Sequence, residues 1–203
     1  MIIGIDIDST INRAHYYDII HGRELCKKLG VTKEEKPWNI NVKDIFGFND
    51  EEYNNYMLTY FPWNCKYNKL EPGAQSVIKE LYDKMHDIYI ITARDENYDK
   101  SPYKGRYMKA DTIKWFAQNN IPYNKLIFSA KNKAEVCKAN NVDVMIDDDP
   151  NHILECSKQG IPTIIAAQSY NEYLIGTPNT YYSRNWFHTL SIIKQIEYHK
   201  ILK

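Results

Sequence analysis

A chain of 203 residues suits one domain, or one core domain with an insert, and a hydrophobic content of 43% is enough for a real core. Lysine plus arginine (26) balances aspartate plus glutamate (26), so the basic excess needed to track a nucleic-acid polymer is missing. No apolar run approaches the roughly 18 to 20 residues of a membrane span.

The aromatic content is unusual, with 17 Tyr, 4 Trp and 6 Phe, which suits amphipathic binding walls or a small protein rich in surface. Cys26, Cys65, Cys137 and Cys156 are scattered with no zinc-like spacing and read as free thiols of a reducing compartment. The N-terminus runs straight into a strand with no charged leader, so the expectation is a soluble, cytoplasmic protein.

In chain order, the apolar run Ile2 to Ile5 enters Asp6-Ile7-Asp8-Ser9-Thr10 and reads as a buried strand with two carboxylates at its end. Residues two apart on a strand point the same way, so Asp6 and Asp8 can share one target. Taken alone, the pair fits helix capping or Asx turns equally well. Ile11 to Leu29 carries apolar groups at helical spacing and ends at Gly30, a C′ stop. Short helices follow over Val42 to Phe48 and from Asp50 through Leu58, with Asn49 or Asp50 as cap. Tyr60-Phe-Pro-Trp63 is dense in aromatics. Pro72-Gly73 then opens a helix over Ala74 to Lys84, with Pro72 near its first turn.

From there strands and helices alternate. Strands are expected at Asp87–Ile91, Leu126–Phe128, Val142–Ile146 and Ile161–Ala166. A loop over Asp95–Lys104 leads to a helix over Arg106–Asn119. Shorter helices are expected at Lys133–Ala139 and after the cap Asp149, and an amphipathic helix over Trp186–Tyr198 closes the chain. This order predicts an α/β, Rossmann-like parallel sheet flanked by helices. Residues 1–10 and 71–203 would form the core, and 11–70 a helical cap inserted after the first strand. Polar clusters then gather at one sheet edge: Asp6 and Asp8, Thr92, Lys131 and Lys133, and Asp147 and Asp148.

Asp6-Ile-Asp8-Ser-Thr10, a strand ending in Thr92, a lysine at a helix start and Ile146-Asp147-Asp148 together resemble the four motifs of the haloacid dehalogenase superfamily. The size, the cap position and the tail Tyr170-Asn171…Arg184-Asn-Trp186 resemble bacterial relatives of the 5′(3′)-deoxyribonucleotidase family. Two departures stand out: Ser9 occupies a place where Gly is common, and Thr92 is followed by Ala-Arg. The resemblance implies a phosphatase in which Asp6 attacks phosphorus to form an aspartyl-phosphate and Asp8 serves as general acid, then base. An attacking carboxylate and a phosphate repel each other unless a cation lies between them, and Mg²⁺ suits such an oxygen-rich site. Its ligands would be Asp6, the Asp8 backbone carbonyl and a carboxylate of Asp147-Asp148. The nucleotidase resemblance favours Asp148 for direct ligation and leaves Asp147 bridging through water. Thr92 would offer a hydroxyl and a backbone N–H to the phosphate. Lys133, with Lys131 as alternative, would neutralise the phosphate, and Asp149 would only cap its helix. Arg94 is close enough to touch substrate, although a surface ion pair fits equally.

The expected substrate is a small phosphomonoester, first a (deoxy)nucleoside monophosphate, because the cap carries flat aromatic faces on which a base can stack. Most of these aromatics belong to the cap's own core, with one or two of Tyr16, Tyr17 and Phe46 facing substrate. A sugar or cofactor phosphate is the alternative. A non-catalytic phosphate-binding protein would have little reason to keep both Asp6 and Asp8.

Overall fold

In the computed structural model, which describes residues 1–99 and 103–201, the first apolar run forms β1 (Ile2–Ile5) at the middle of a six-stranded sheet. β2 (Asp87–Ile91) and β3 (Lys125–Ile127) extend it on one side, and β4 (Val144–Asp147), β5 (Thr163–Ala166) and β6 (Thr180–Ser183) on the other. Every pairing is parallel. The α/β expectation is borne out, with one strand more than the sequence pattern suggested. β6 is only Thr-Tyr-Tyr-Ser, which has strand-forming residues but no apolar run to mark it. The chain runs outward from β1 through β2 to β3, then returns to lay β4 on the opposite flank of β1. That reversal opens a crevice at the C-terminal ends of β1 and β4, where open α/β sheets bind ligands.

The insert after β1 holds four helices: α1 (Ala14–Leu29), α2 (Val42–Phe46), α3 (Asp50–Thr59) and α4 (Phe61–Tyr67). α1 stops at Gly30, whose φ of 66° supplies the left-handed cap. Asn49 caps α3 and forms a reciprocal capping box with Glu52. α4 gathers the aromatic stretch read only as Tyr60–Trp63 into a further helix, with Pro62 in its first turn. These helices bury a core of their own from Leu25, Ile45, Phe46, Phe48, Tyr56 and Tyr60, among others. The ends of the insert meet where Asn12 and Leu70 form an antiparallel bridge, flanked by Arg13 N–H to Lys69 O and Glu71 N–H to Ile11 O.

The crossovers are α5 (Ala74–Asp83), α6 (Gly105–Gln118), α7 (Lys133–Ala139) and α8 (Pro150–Lys158), and α9 (Trp186–Ile201) closes the chain. Gly73, not Pro72, is the N-cap of α5, so Pro72 lies one residue before the cap rather than inside the first turn. Residues 100–102 of the expected Asp95–Lys104 loop lie outside the described residues. Alternation along β1 sends Ile3 and Ile5 into one core with Val77, Ile78 and Leu81 of α5, Trp115 of α6 and Trp186 of α9. Ile2 turns to the opposite layer, with Cys137 of α7 and Cys156 of α8. All four cysteines are buried and unbridged. Among the described residues no helix is long and apolar enough to cross a membrane.

Gly22 of α1 marks the tightest contact inside the insert. A Cβ there would lie 2.1 Å from the Phe46 ring, which is buried and stacked on Phe48 and cannot swing clear. Gly22→Ala should lower the melting temperature by roughly 2–12 °C, the usual consequence of overpacking at this chain length. Thermal unfolding of the single variant and of Gly22→Ala with Phe46→Leu checks the cause, since the smaller side chain should recover part of the loss.

Candidate active site

Strand register assembles the site. Ile5 pairs with Ile90 on one side and Ile146 on the other, so Asp6 leaves β1 level with Asp147 and one step from Thr92. The sheet continues for one more bond, Asp6 N–H to Ile146 O at 2.9 Å. The next turn is tight, and Ser9 adopts a φ of 58°. That left-handed value is natural for Gly, the residue the motif resemblance leads one to expect here.

Lys133, the first residue of α7, is 1% exposed and reaches Asp6 Oδ1 at 2.5 Å and Asp147 Oδ2 at 2.8 Å. Lys131, by contrast, is exposed. Asp147 also accepts the Asp149 N–H on Oδ1 (2.9 Å), while Asp149 caps α8 through Asn151 N–H (2.7 Å). Asp148 is held on both oxygens, by the Thr10 hydroxyl at 2.8 Å and the Tyr170 hydroxyl at 2.5 Å, and Asn171 Nδ2 donates to its carbonyl at 2.9 Å.

Asp6, Asp147 and Asp148 each place a carboxylate oxygen within 4.8 Å of the others, and all three are buried. Lys133 pairs with two of the three, Asp6 and Asp147. Burial pushes Asp6 upward, and its neighbours Asp147 and Asp8 add to the shift against the pull of Lys133. Burial likewise raises Asp148, reinforced by Asp6 and Asp147. Asp147 moves the other way, because Lys133 and His152 outweigh its burial. The donor set is therefore hard, anionic and short of positive charge, which is what a divalent cation such as Mg²⁺ requires.

Asp8 is treated differently. Arg94 binds it bidentately, Nε to Oδ2 at 2.8 Å and Nη2 to Oδ1 at 2.6 Å, and Asn12 Nδ2 adds a bond at 3.0 Å. Burial pushes the Asp8 carboxyl up, but the Arg94 guanidinium more than offsets it and holds the group below the usual carboxylate range. Arg94 is itself buried and anchored to Thr112 of α6, so the surface ion pair anticipated for it is replaced by an internal one. Thr92 keeps its hydroxyl in the cleft, where it accepts the Arg94 N–H at 3.2 Å. Its backbone N–H is spent on Ile127 O at 2.9 Å, so only the hydroxyl is left for a ligand.

These groups line a cleft of about 190 Å³. A larger cavity of about 360 Å³ lies beyond Ser9 and Thr10, beside Arg184 and Trp186, and contains none of the carboxylates. On the insert side the carboxylate-lined cleft is bounded by Ala14, Asp18 and Ile40. The aromatic residues expected there are elsewhere. Phe46 is buried in the insert's core, Tyr17 packs on Trp63 and His21, and Tyr16 stacks under Arg13 at 4.2 Å in a separate depression. Sequence reading missed Asp18, although it stands four residues after Ala14 on the same helical face.

The fold and the arrangement of the site are similar to those of haloacid dehalogenase-like hydrolases. No family model matches the chain. It is 26% identical over 198 residues to a nucleotidase of Clostridium acetobutylicum, covering 96% of this chain and 94% of that protein. It is 24% identical over 181 residues (86% of this chain, 82% of the relative) to a Chlorobaculum tepidum protein described as a "putative 5′(3′)-deoxyribonucleotidase". A haloacid dehalogenase-like hydrolase of Streptococcus pneumoniae shares the fold at a TM-score of 0.64, with 14% identity and coverage of 94% and 97%. The resemblance read from the motifs, to phosphatases of this superfamily and to the deoxyribonucleotidase family among them, is borne out.

Two stability predictions follow from the charges. Lys133→Met leaves Asp6 and Asp147 buried without their cation and should cost about 3–5 kcal/mol, read by chemical denaturation near neutral pH. Asp18 gives the second. Burial raises its carboxyl from 3.8 to about 7, against the hydrogen bonds it accepts. A folded-state value above the unfolded one withdraws stability as pH climbs through that window, and the loss is complete above it. Asp18→Asn should therefore gain on the wild type by about 4–8 °C in melting temperature between about pH 5 and pH 8, allowing for the partial exposure of the group.

Proposed function

We propose that the protein is a Mg²⁺-dependent phosphomonoesterase that works through an aspartyl-phosphate on Asp6, with nucleoside monophosphates as its first substrate class. The observation that carries this reading is the buried cluster of Asp6, Asp147 and Asp148 at a sheet edge, with Lys133 paired to Asp6 and Asp147. Asp6 and Asp148 would hold the metal, Asp147 would support them, and the backbone carbonyl of Asp8 would complete the protein's share. When bound, Mg²⁺ neutralises the repulsion between these carboxylates and an incoming phosphate.

The remaining work falls to side chains. An Asp6 oxygen attacks phosphorus in line as the ester P–O bond breaks, and Asp8 gives its proton to the departing oxygen. In the second half Asp8 takes a proton from the water that attacks the phosphoaspartate, and phosphate leaves with Asp6 restored. Arg94 holds Asp8 ionised in the free protein, the state the base role needs. A phosphate dianion bound beside Asp8 raises its proton affinity, the state the acid role needs. Lys133 and the Thr92 hydroxyl offset and orient the charge on the transferring group.

The nucleotide assignment is supported by relatives named as nucleotidases over nearly the full chain. A second reading, a small phosphorylated polyol such as a sugar phosphate, is favoured by the insert side of the cleft, where no aromatic stands among the described lining residues.

Phosphate release from an aryl phosphate, with Mg²⁺ and with a chelator, tests the chemistry. Release should need the metal, and Asp6→Asn should lower it about 10³-fold or more while the protein stays folded. Turnover retained by Asp6→Asn would sink the mechanism. A panel of nucleoside monophosphates against sugar phosphates then decides the substrate class.

A further inference from the structure

One carboxylate in the cleft has no part in the phosphatase chemistry. Asp18 projects from α1 into the space it shares with Asp6 and Asp8. Its Oδ1 accepts two hydrogen bonds from the insert, from the Tyr56 hydroxyl of α3 at 2.6 Å and from Asn64 Nδ2 of α4 at 2.8 Å. Tyr56 and Asn64 are buried and bonded to each other at 3.1 Å, so three helices hold this carboxyl in one orientation. Its Oδ2 makes no hydrogen bond among the described residues, and it is not among the side-chain atoms sealed from solvent without a partner.

A purely structural role accounts for half of this arrangement. Tying α1 to α3 and α4 needs one acceptor oxygen, and an asparagine would supply it with no charge to bury. The second oxygen, unbonded among the described residues on a rigid side chain that lines the cleft, calls for a partner that arrives with the ligand. Asp18 lies on the insert side, beyond Asp8, and close enough to feel the charge of Asp8. Since Asp8 faces the departing oxygen in the proposed reaction, Asp18 faces what that oxygen is attached to.

We propose that Asp18 is a specificity-determining residue whose free carboxyl oxygen binds a hydroxyl of the leaving group, so that the enzyme selects phosphoesters of hydroxylated alcohols over those of plain ones. This rests on the phosphatase reading and narrows it. A hydroxyl both donates and accepts, so it can pair with this carboxyl whether or not the carboxyl carries a proton. The ribose of a nucleotide and the body of a sugar phosphate both qualify, and an aryl or alkyl ester does not. A site built to hydrogen-bond a hydroxyl discriminates strongly against an analogue that lacks it, because its own polar group is then left unpaired.

The test is a matched pair, glycerol 2-phosphate and isopropyl phosphate, which differ only in the two flanking hydroxyls, with p-nitrophenyl phosphate as a probe of the chemistry itself. The wild type should prefer glycerol 2-phosphate by about 10-fold or more in kcat/KM, and Asp18→Ala, which leaves no polar group at this position, should bring that ratio close to 1. Tyr56→Phe, which releases one of the two anchors, should lower the ratio part of the way and keeps the test alive if Asp18→Ala folds poorly. Equal turnover of the pair by the wild type, or an unchanged ratio in a folded Asp18→Ala, overturns the proposal while p-nitrophenyl phosphate release leaves the phosphatase reading standing. Absence of phosphate release from all three esters removes the phosphatase reading and this one with it.

Discussion

The contact on which the rest depends is the buried ammonium of Lys133 between Asp6 and Asp147. A lysine this deep costs several kcal/mol in lost hydration unless its partners are close and fixed. They are fixed because β1 and β4 run side by side and in register, which brings their two terminal carboxylates level. The lysine is fixed because it begins α7 directly after Asn132, whose side chain caps that helix through Glu135 N–H. Sheet order, helix start and ion pair therefore specify one another. The fold and the reactive edge cannot be separated.

Charge is distributed unevenly around this contact, and the unevenness carries the chemical meaning. Asp8 has a cation to itself in Arg94, whereas Asp6 and Asp147 share one lysine and Asp148 has no ion pair among the described residues. The Asp148 oxygens are met by neutral hydroxyls from Thr10 and Tyr170, which orient the group without balancing it. A buried cluster left with excess negative charge is destabilised on its own and becomes favourable when a cation joins it. Asp18 repeats the pattern on the insert side, where its two donors, Tyr56 and Asn64, are also neutral. Both places give up stability in the free protein, and a ligand that supplied a cation or a donor there would return it.

What could be read from the sequence was whatever interrupts an apolar run. Asp6, Thr92 and Asp147 stand where strands end, Lys133 and Asp149 where helices begin, and these are the places where a polar residue contradicts its surroundings. Relations between elements were less legible. Arg94 belongs to Asp8 only because α6 sets Thr112 behind it, and the Thr92 N–H is lost to the sheet only because β3 lies alongside. The aromatic residues misled for a related reason. Phe46 has the profile of a base-stacking ring, but Gly22 leaves a gap on α1 that the ring fills, so packing claimed it first. Asp18 was hidden in plain view as a polar residue on an amphipathic helix, where the usual reading is a solvated face. β6 and α4 were too short and too mixed in composition to announce themselves.

Ser9 shows how a departure from the common motif is put to use. A non-glycine residue at positive φ costs on the order of 1–2 kcal/mol. Its hydroxyl accepts the His15 N–H at 3.0 Å, while Asn12 Oδ1 accepts the Ser9 and Ala14 N–H groups at 3.1 and 3.0 Å. Arg13, the residue at the N-cap of α1, provides no side-chain cap, so Ser9 and Asn12 satisfy the start of the helix in its place. The bond to His15 N–H, which only the serine supplies, offsets part of the backbone cost. The Ser9 and Asn12 bonds also join the turn that carries Asp8 to the helix that carries Asp18, and Asn12 closes the link by donating to Asp8 itself. With a glycine at position 9 the turn would relax, but His15 N–H would lose its acceptor and α1 would be freer to shift against the turn. The serine exchanges backbone ease for a fixed distance between Asp8 and Asp18.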